Sequence, residues 1–564
     1  MELGFEKNKD ILNIYKNIHF RKSNDFNKLL GNNISNDLKS SFWDIIVITA
    51  IDEQQKQYYE LVINEKIKDA EIPSFIKYLV IADPVGNKIG CGGSTIYVLS
   101  KLKQELGHLF NQYKILLLHA GGYSKRLPNH STTGKIFASI PYSLGDGGRA
   151  CTMLEIKLIM LIDFAKKMKP GVFLACSDDI ELFESEGVIL DKEGFTAIAQ
   201  PGTLDIGTGH GVFILEDLNA FKENDVNQCQ RFIHKPTKQR MKDCNAILEN
   251  GLVLMDSCYY FDHNMVSRLL LKYYSENQPI QCEIDAYSDF LQPLGPGASA
   301  DYFESRGNVS VYTDQLAIER KKLFEMFQSN NVPLYTIPYI PSMFIHIGTC
   351  QEYLEHFTEN FPQLDFKRIV YSDIGSNQNE IVNKKLCIIH SNFQSSKITI
   401  QEHTIIEYCS IVNCNQVTIE SGCILADLEL HNHQQPIHIP SNTFIQTLCV
   451  SNGGYVTIIF GIDDNLKSNN NIKICSKAIQ YINNNNNSEM SLWNTPLFPI
   501  CPTPKQSLLE SLELLKTIQS NTTPYITVDL SLTKTYSIDK CLQEKDLKSQ
   551  FKRRQSLTKT IKQT

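Results

Sequence analysis

From about residue 40 the chain alternates short apolar runs with stretches of helical spacing. Phe42–Ala50 reads as a buried strand and Asp52–Lys68 as a helix. Tyr78–Ile81 is a second strand, and Ser94–Leu106 a helix that follows a glycine cluster. Ile115–His119 is apolar on both faces, as central parallel strands are. Met153–Met168 reads as an apolar helix and Gly171–Cys176 as a further strand. This alternation predicts an α/β domain with a mostly parallel sheet flanked by helices, and ligands in such sheets bind beyond the carboxyl ends of the strands.

Near residue 385 the period changes. Ile388, Ile400, Ile406, Val412 and Ile424 fall on one six-residue grid, with small and polar residues between them. Six residues per flat side predicts a parallel β-helix, although Gln394 and Thr418 occupy grid positions. Ordinary antiparallel strands are the competing reading. After Gly453 the pattern weakens: Asn469–Asn471 and Asn483–Asn487 read as surface loops, Ser507–Thr517 as an amphipathic helix, and Lys548–Thr564 as a solvated basic tail. The predicted organisation is a helical segment over 1–40, a catalytic domain over 41–375, a β-helix over 380–460 and a mixed region over 461–564.

Composition narrows this picture. The 564 residues exceed one core, and 42% hydrophobic with 21% charged residues fits a folded protein. A net charge of -7 argues against a general nucleic-acid binder. The 16 cysteines are scattered without a C-x-x-C pair and read as reduced core residues. Met1–Asp10 lacks the apolar run of a signal peptide, and no segment approaches a membrane span. The expected location is cytoplasmic, without membrane attachment.

Three elements carry candidate chemistry. In His119–Lys135 (HAGGYSKRLPNHSTTGK) a strand runs into Gly121 and Gly122, then Lys125, Arg126, Gly134 and Lys135. Glycines let backbone approach a phosphate, a guanidinium binds its oxygens through a planar fork, and a lysine adds a mobile charge. The loop is not a Walker A motif, because Ile136 stands where Ser or Thr is needed. On these residues alone, phosphate site and tight surface turn both stand. Upstream, Asp83–Thr95 is a second glycine cluster whose Gly92, Gly93, Ser94 and Thr95 precede a helix and could hold an anion or simply cap it. Third, Asp178-Asp179 closes the strand Gly171–Cys176, as metal carboxylates or as a helix N-cap. Further on lie Gly209-His210 in TLDIGTGHG, Lys235 in RFIHKP, and Glu283 and Asp285 in CEIDAYSD, the last read as an acidic strand.

The order of these pieces resembles the sugar-1-phosphate nucleotidyltransferases, whose glycine-rich first-strand motif is followed by arginine and lysine. Ser124 stands where the second motif glycine is usual, and Ser177 replaces a glycine before the family's metal aspartate. Within that superfamily the chain resembles the fucose-1-phosphate guanylyltransferases, or GDP-L-fucose pyrophosphorylases, through FWDIIVITA, ADPVGNKIGCGGST, LLLHAGGYSKRLPNHSTTGKIF, CSDDIEL, GTGHGVF, RFIHKP, CEIDAYSDFLQPLGPGA and FIHIGT. The resemblance implies a Rossmann-like nucleotidyltransferase fold followed by a small left-handed parallel β-helix. It implies GTP and L-fucose 1-phosphate as partners and Mg²⁺ as cofactor. It assigns catalysis to Arg126, Lys135 and Lys235, and the metal to Asp178 with Asp285. Gly92, Gly93, Ser94, Thr95, Gly121, Gly122, Gly209, His210 and Glu283 would bind substrate. Association of copies through the β-helix is a further expectation. The competing functions are a transferase for another sugar 1-phosphate, a non-catalytic scaffold of the same fold, and an acyltransferase using His403, His431 or His433.

Overall fold

The computed structural model describes residues 2–563 except positions 32, 146–147, 188, 308, 311, 360–362, 376–384, 395–396, 483–488 and 531–534. The Asn483–Asn487 tract and the expected boundary after residue 375 therefore lie outside the described residues. The chain divides into two compact units, residues 1–121 with 157–345, and residues 122–156 with 346–564.

The first unit carries a nine-stranded mixed sheet. Its strands are β1 (Ile45–Ala50), β2 (Lys77–Ala82), β3 (Lys114–His119), β4 (Gly171–Cys176), β6 (Phe195–Gly202), β7 (Gly211–Leu215), β8 (Asn227–His234), β9 (Val253–Asp262) and β10 (Leu334–Pro338). Strand β5 (Asp179–Phe183) pairs separately with β11 (Ser342–His346). The order across the large sheet is β2-β1-β3-β4-β9-β6-β10-β8-β7. Strands β1 to β4 are mutually parallel, as is β6 with β10; the other pairings are antiparallel. The expected parallel bias thus holds for the first four strands, of which β1, β3 and β4 are buried almost throughout and β2 is a half-exposed edge, and gives way where β9 enters beside β4.

Helix α1 (Glu2–Asn27) docks on this unit through buried Lys22, whose ammonium donates to the Met160 carbonyl at 2.6 Å and the Ser185 hydroxyl at 2.9 Å. After the short α2 (Asn36–Ser40), α3 (Glu53–Lys68) starts on an Asp52 N-cap and follows β1. Helix α4 (Gly90–Leu106) begins four residues before the predicted start at Ser94. The predicted helix Met153–Met168 is divided into Met153–Met160 and Ile162–Lys167.

In the second unit three parallel ladders are visited in turn. Leu386 pairs with Thr404, Ile405 with Ile424 and Ile424 with Phe444, offsets of 18, 19 and 20 residues. Each successive turn is one residue longer, so a strict six-residue grid slips: Ile411 points inward while Val412, on the grid, does not. Thr443–Val450 then pairs antiparallel with Gly454–Gly461. The helix Pro504–Ser520 is longer than predicted and buries Leu508, Leu512, Leu515 and Ile518. The predicted solvated tail is instead the helix Leu547–Gln563, held by Arg554, whose guanidinium makes two 2.7 Å bonds to Asp427.

Candidate active site

Parallel registry brings four strand ends to one edge of the first unit. Ala50 lies opposite Ala82, and His119 opposite Cys176. At this edge the Thr95 hydroxyl donates to the Cys91 carbonyl at 2.9 Å and lies 2.9 Å from His119 Nε2. With that hydroxyl hydrogen engaged, Nε2–H is the donor to Thr95. Nδ1 is left as a buried acceptor with no hydrogen-bond partner among the described residues. Burial lowers His119 to about 4, so the ring is neutral at physiological pH.

The segment CEIDAYSD is not a strand. It runs extended beside the glycine cluster: Ile284 N–H donates to Ile89 O, and Gly92 and Gly93 N–H donate back to Ile284 O at 2.8 and 3.4 Å. A Cβ on Gly92 would sit 2.8 Å from Ile284 Cγ2, so glycine is required for this approach. The Gly92 and Gly93 amides are therefore engaged by protein rather than presented to an anion. Ser94 is buried beside Asp83, whose carboxyl burial pushes up to about 6. Gly121 N–H is likewise engaged, with Ala120 N–H, on the Thr49 hydroxyl.

Asp285 accepts from Tyr287 and Ser288 N–H at 3.0 and 2.6 Å through Oδ1, and its Oδ2 lies 3.6 Å from Cys91 Sγ. Its own N–H donates to Asp289, which is clamped by the fully buried Arg320 at 2.8 Å. Glu283 takes a different course and bonds Ser310 N–H and hydroxyl at the surface. The Asp178-Asp179 pair splits. Asp179 opens β5 and turns inward to Lys157 at 2.6 Å, while Asp178 stays half-buried at the strand end, so the pair is not a helix N-cap.

Lys235 follows β8 with a left-handed φ of 46° and donates its N–H to the His210 carbonyl at 2.8 Å. A non-glycine residue held there is strained, a feature that clusters at functional sites. Around it, Asp256 Oδ1 accepts from Gly211 N–H at 2.8 Å and lies 3.9 Å from His210 Nδ1. Burial raises Asp256 and lowers His234. The nearby Asp256 and Asp285 charges partly oppose the His234 shift. Gly209 closes the turn after Leu204–Gly207 by donating to Ile206 O.

The basic residues of the glycine loop belong to the second unit, whose chain begins at Gly122. Gly122 has φ 88°, a conformation that favours glycine. Ser124, where the resembling family has glycine, turns inward: its N–H donates to Ser131 Oγ at 2.6 Å and its hydroxyl points to Gly348 O at 3.4 Å. Lys125 and Arg126 remain exposed, and Lys135 is half-buried at the start of a 3₁₀ turn. Lys125 lies over the Trp493 ring at 5.6 Å. Beneath the loop, Asn129 donates to buried Glu407 at 2.8 Å, tying the helix Pro128–Thr133 to the first ladder.

A fucose pyrophosphorylase domain model matches residues 107–503. Fucose-1-phosphate guanylyltransferase of Mus musculus is 35% identical over 95% of this chain and 96% of its own, and that of Homo sapiens 33% over 95% and 93%. A bifunctional fucokinase/GDP-fucose pyrophosphorylase of Arabidopsis thaliana is 24% identical over 56% of this chain and 32% of its own. The chain belongs to the fucose pyrophosphorylase family. In this family member the structure gathers His119, Thr95, Cys91 and Asp285 at one sheet edge, and Lys235, His210, His234 and Asp256 around the end of β8. Glu283 is left apart from both.

Asp256 was not legible as a site residue, because β9 carries two carboxylates, Asp256 and Asp262, and nothing in the sequence singles out the first. Among the described residues no group of three or more His, Cys, Asp or Glu side chains is arranged to hold a metal. Mg²⁺ needs only one or two carboxylates when phosphates and waters complete its shell. Asp178 at the end of β4 and Asp285, whose Oδ2 faces Cys91 Sγ, each offer one carboxylate of that donor class.

Proposed function

We propose that the chain transfers a guanylyl group from GTP to L-fucose 1-phosphate, giving GDP-L-fucose and pyrophosphate. The observation that carries this reading is identity of 35% along nearly the whole length of a fucose-1-phosphate guanylyltransferase. The order of Arg126, Lys135, Asp178 and Lys235 along the chain, which carries the resemblance, supports the same reading. In the same reading the first unit is a Rossmann-like nucleotidyltransferase sheet, and the three ladders form a small left-handed parallel β-helix. All 16 cysteines are free thiols, which supports a cytosolic setting.

A sugar phosphate oxygen attacks the α-phosphorus in line, and the bond to the β-bridging oxygen breaks as pyrophosphate leaves. The nucleophile is already ionised, so no general base is needed; positioning and charge neutralisation carry the rate. Lys235 holds the sugar phosphate, and the polar cluster of Asp256, His210 and His234 beside it offers hydrogen bonds to sugar hydroxyls. Arg126 and Lys135 offset the triphosphate and the charge growing on pyrophosphate. Asp178 and Asp285 would hold Mg²⁺, which supplies further charge neutralisation when bound. A pyrophosphate-release assay crossing four nucleoside triphosphates with a panel of sugar 1-phosphates tests the reading. Turnover confined to GTP with L-fucose 1-phosphate is expected. Turnover with another pair would reassign the substrate, and turnover with none would favour a scaffold.

A further inference from the structure

The region after Gly461 has no role in the mechanism above, yet it reaches the basic loop. Asp464 fixes the turn there by accepting from Gly461 N–H at 2.6 Å and Cys475 N–H at 2.7 Å. Asn465 Oδ1 then accepts from both Lys467 and Ser468 N–H at 3.1 Å. Buried Leu466 presents its carbonyl to Trp493 N–H at 3.0 Å, and the ring of that same tryptophan lies against Lys125. Trp493 is further fixed by Asp539, whose Oδ1 accepts from Nε1 at 2.9 Å. One buried tryptophan therefore sets the spacing between Lys125 and the turn that carries Lys467.

We propose that Lys467 is a polyphosphate-binding residue, completing with Lys125, Arg126 and Lys135 a cationic site for the β- and γ-phosphates of the nucleotide and for the pyrophosphate they become. This rests on the reading of the loop as the triphosphate clamp. Lys467 keeps its side chain accessible. Partial burial lowers its affinity for a proton, and repulsion from Arg126, Lys125 and Lys135 lowers it further. Among the described residues, Lys125, Arg126 and Lys467 make no ion pair with a carboxylate. Lys125, Arg126 and Lys467, held together without a carboxylate partner among the described residues, raise the energy of the empty site, and a multiply charged anion relieves it. A lysine kept only for stability would instead be paired or would cover apolar surface.

The test uses the full chain and inorganic pyrophosphate as probe. Lys467→Met should lower pyrophosphate affinity about tenfold, reduce the thermal stabilisation pyrophosphate confers, and leave the melting temperature of the ligand-free protein unchanged or higher. KM for GTP should rise while KM for L-fucose 1-phosphate stays within twofold. Lys467→Arg should restore most of the affinity. Unchanged pyrophosphate affinity in Lys467→Met overturns the assignment, as does a fall in ligand-free melting temperature with both KM values rising together. If wild-type protein binds pyrophosphate but makes no GDP-L-fucose, the activity assigned above fails while the anion site stands. If it turns over and Lys467→Met binds pyrophosphate normally, only the Lys467 assignment fails.

Discussion

Lys157 is the perturbation whose consequence the structure specifies most fully. Its ammonium is 1% exposed, 2.6 Å from Asp179 and 3.7 Å from Glu181, whose side chains are 6% and 1% exposed. The cluster carries one positive and two negative charges, and Lys157→Met leaves the two carboxylates without a cation. At an effective dielectric of ~20, the two attractions are gross terms of about 6 and 4 kcal/mol. Set against the cost of burying the ammonium, breaking such a pair destabilises by about 3–5 kcal/mol. The loss should depend on pH. Burial already raises Asp179 to about 7, against an ordinary value of 3.8. A carboxyl raised in the folded chain takes a proton there that the unfolded chain does not hold, so stability falls as pH rises from about 4 to about 7. Without Lys157 Asp179 rises further, so the fall of about 1.4 kcal/mol per pH unit that its proton causes continues above pH 7. Urea titrations followed by circular dichroism should show a cost of about 3–5 kcal/mol at pH 8 that shrinks by about 1.4 kcal/mol at pH 5. The double variant Lys157→Met, Asp179→Asn should recover much of the pH 8 loss. A cost below about 1 kcal/mol at pH 8, or one equal at both pH values, would refute the reasoning.

Gly92→Ala should lower both stability and turnover, because the new methyl meets Ile284 and the Asp285 backbone at 2.8–3.0 Å; circular dichroism melts and the pyrophosphate assay measure both effects. His119 is lowered to about 4, below its ordinary 6.5, so its contribution is present above pH 6.5 and is lost as pH falls towards 4. His119→Gln should therefore lessen the loss of urea stability between pH 7 and pH 5 by about 2 kcal/mol. Arg126→Ala and Asp178→Asn should each lower kcat by about 10²–10³, the scale of losing one well-placed stabilising donor, with circular dichroism unchanged.

Strands β1, β3 and β4 were legible in the sequence because both their faces are buried, leaving continuous apolar runs of the right length; β2, a half-exposed edge strand, shows a shorter run. The start of α4 was not, because Gly90, Gly92 and Gly93 are poor helix formers and are held there by Ile284, a residue nearly two hundred positions away. CEIDAYSD reads as a strand from its alternation, but its hydrogen bonds run to the glycine cluster and no ladder forms. The C-terminal helix looked like a solvated tail because a buried arginine, Arg554 on Asp427, anchors it where an apolar residue would have announced packing. Arg126, Lys135, Asp178 and Lys235 carried a signal in their order along the chain. Asp256 and Lys467 acquire meaning only from what folding places beside them.

The central claim is that bond breaking occurs at the α-phosphorus, with L-fucose 1-phosphate as acceptor. Purified protein given L-fucose 1-phosphate and either α- or γ-phosphorus-labelled GTP tests it most directly. The account requires the α label in GDP-L-fucose and the γ label in pyrophosphate, with both products lost in Arg126→Ala. Label from the γ position in a sugar phosphate or in free orthophosphate would contradict it.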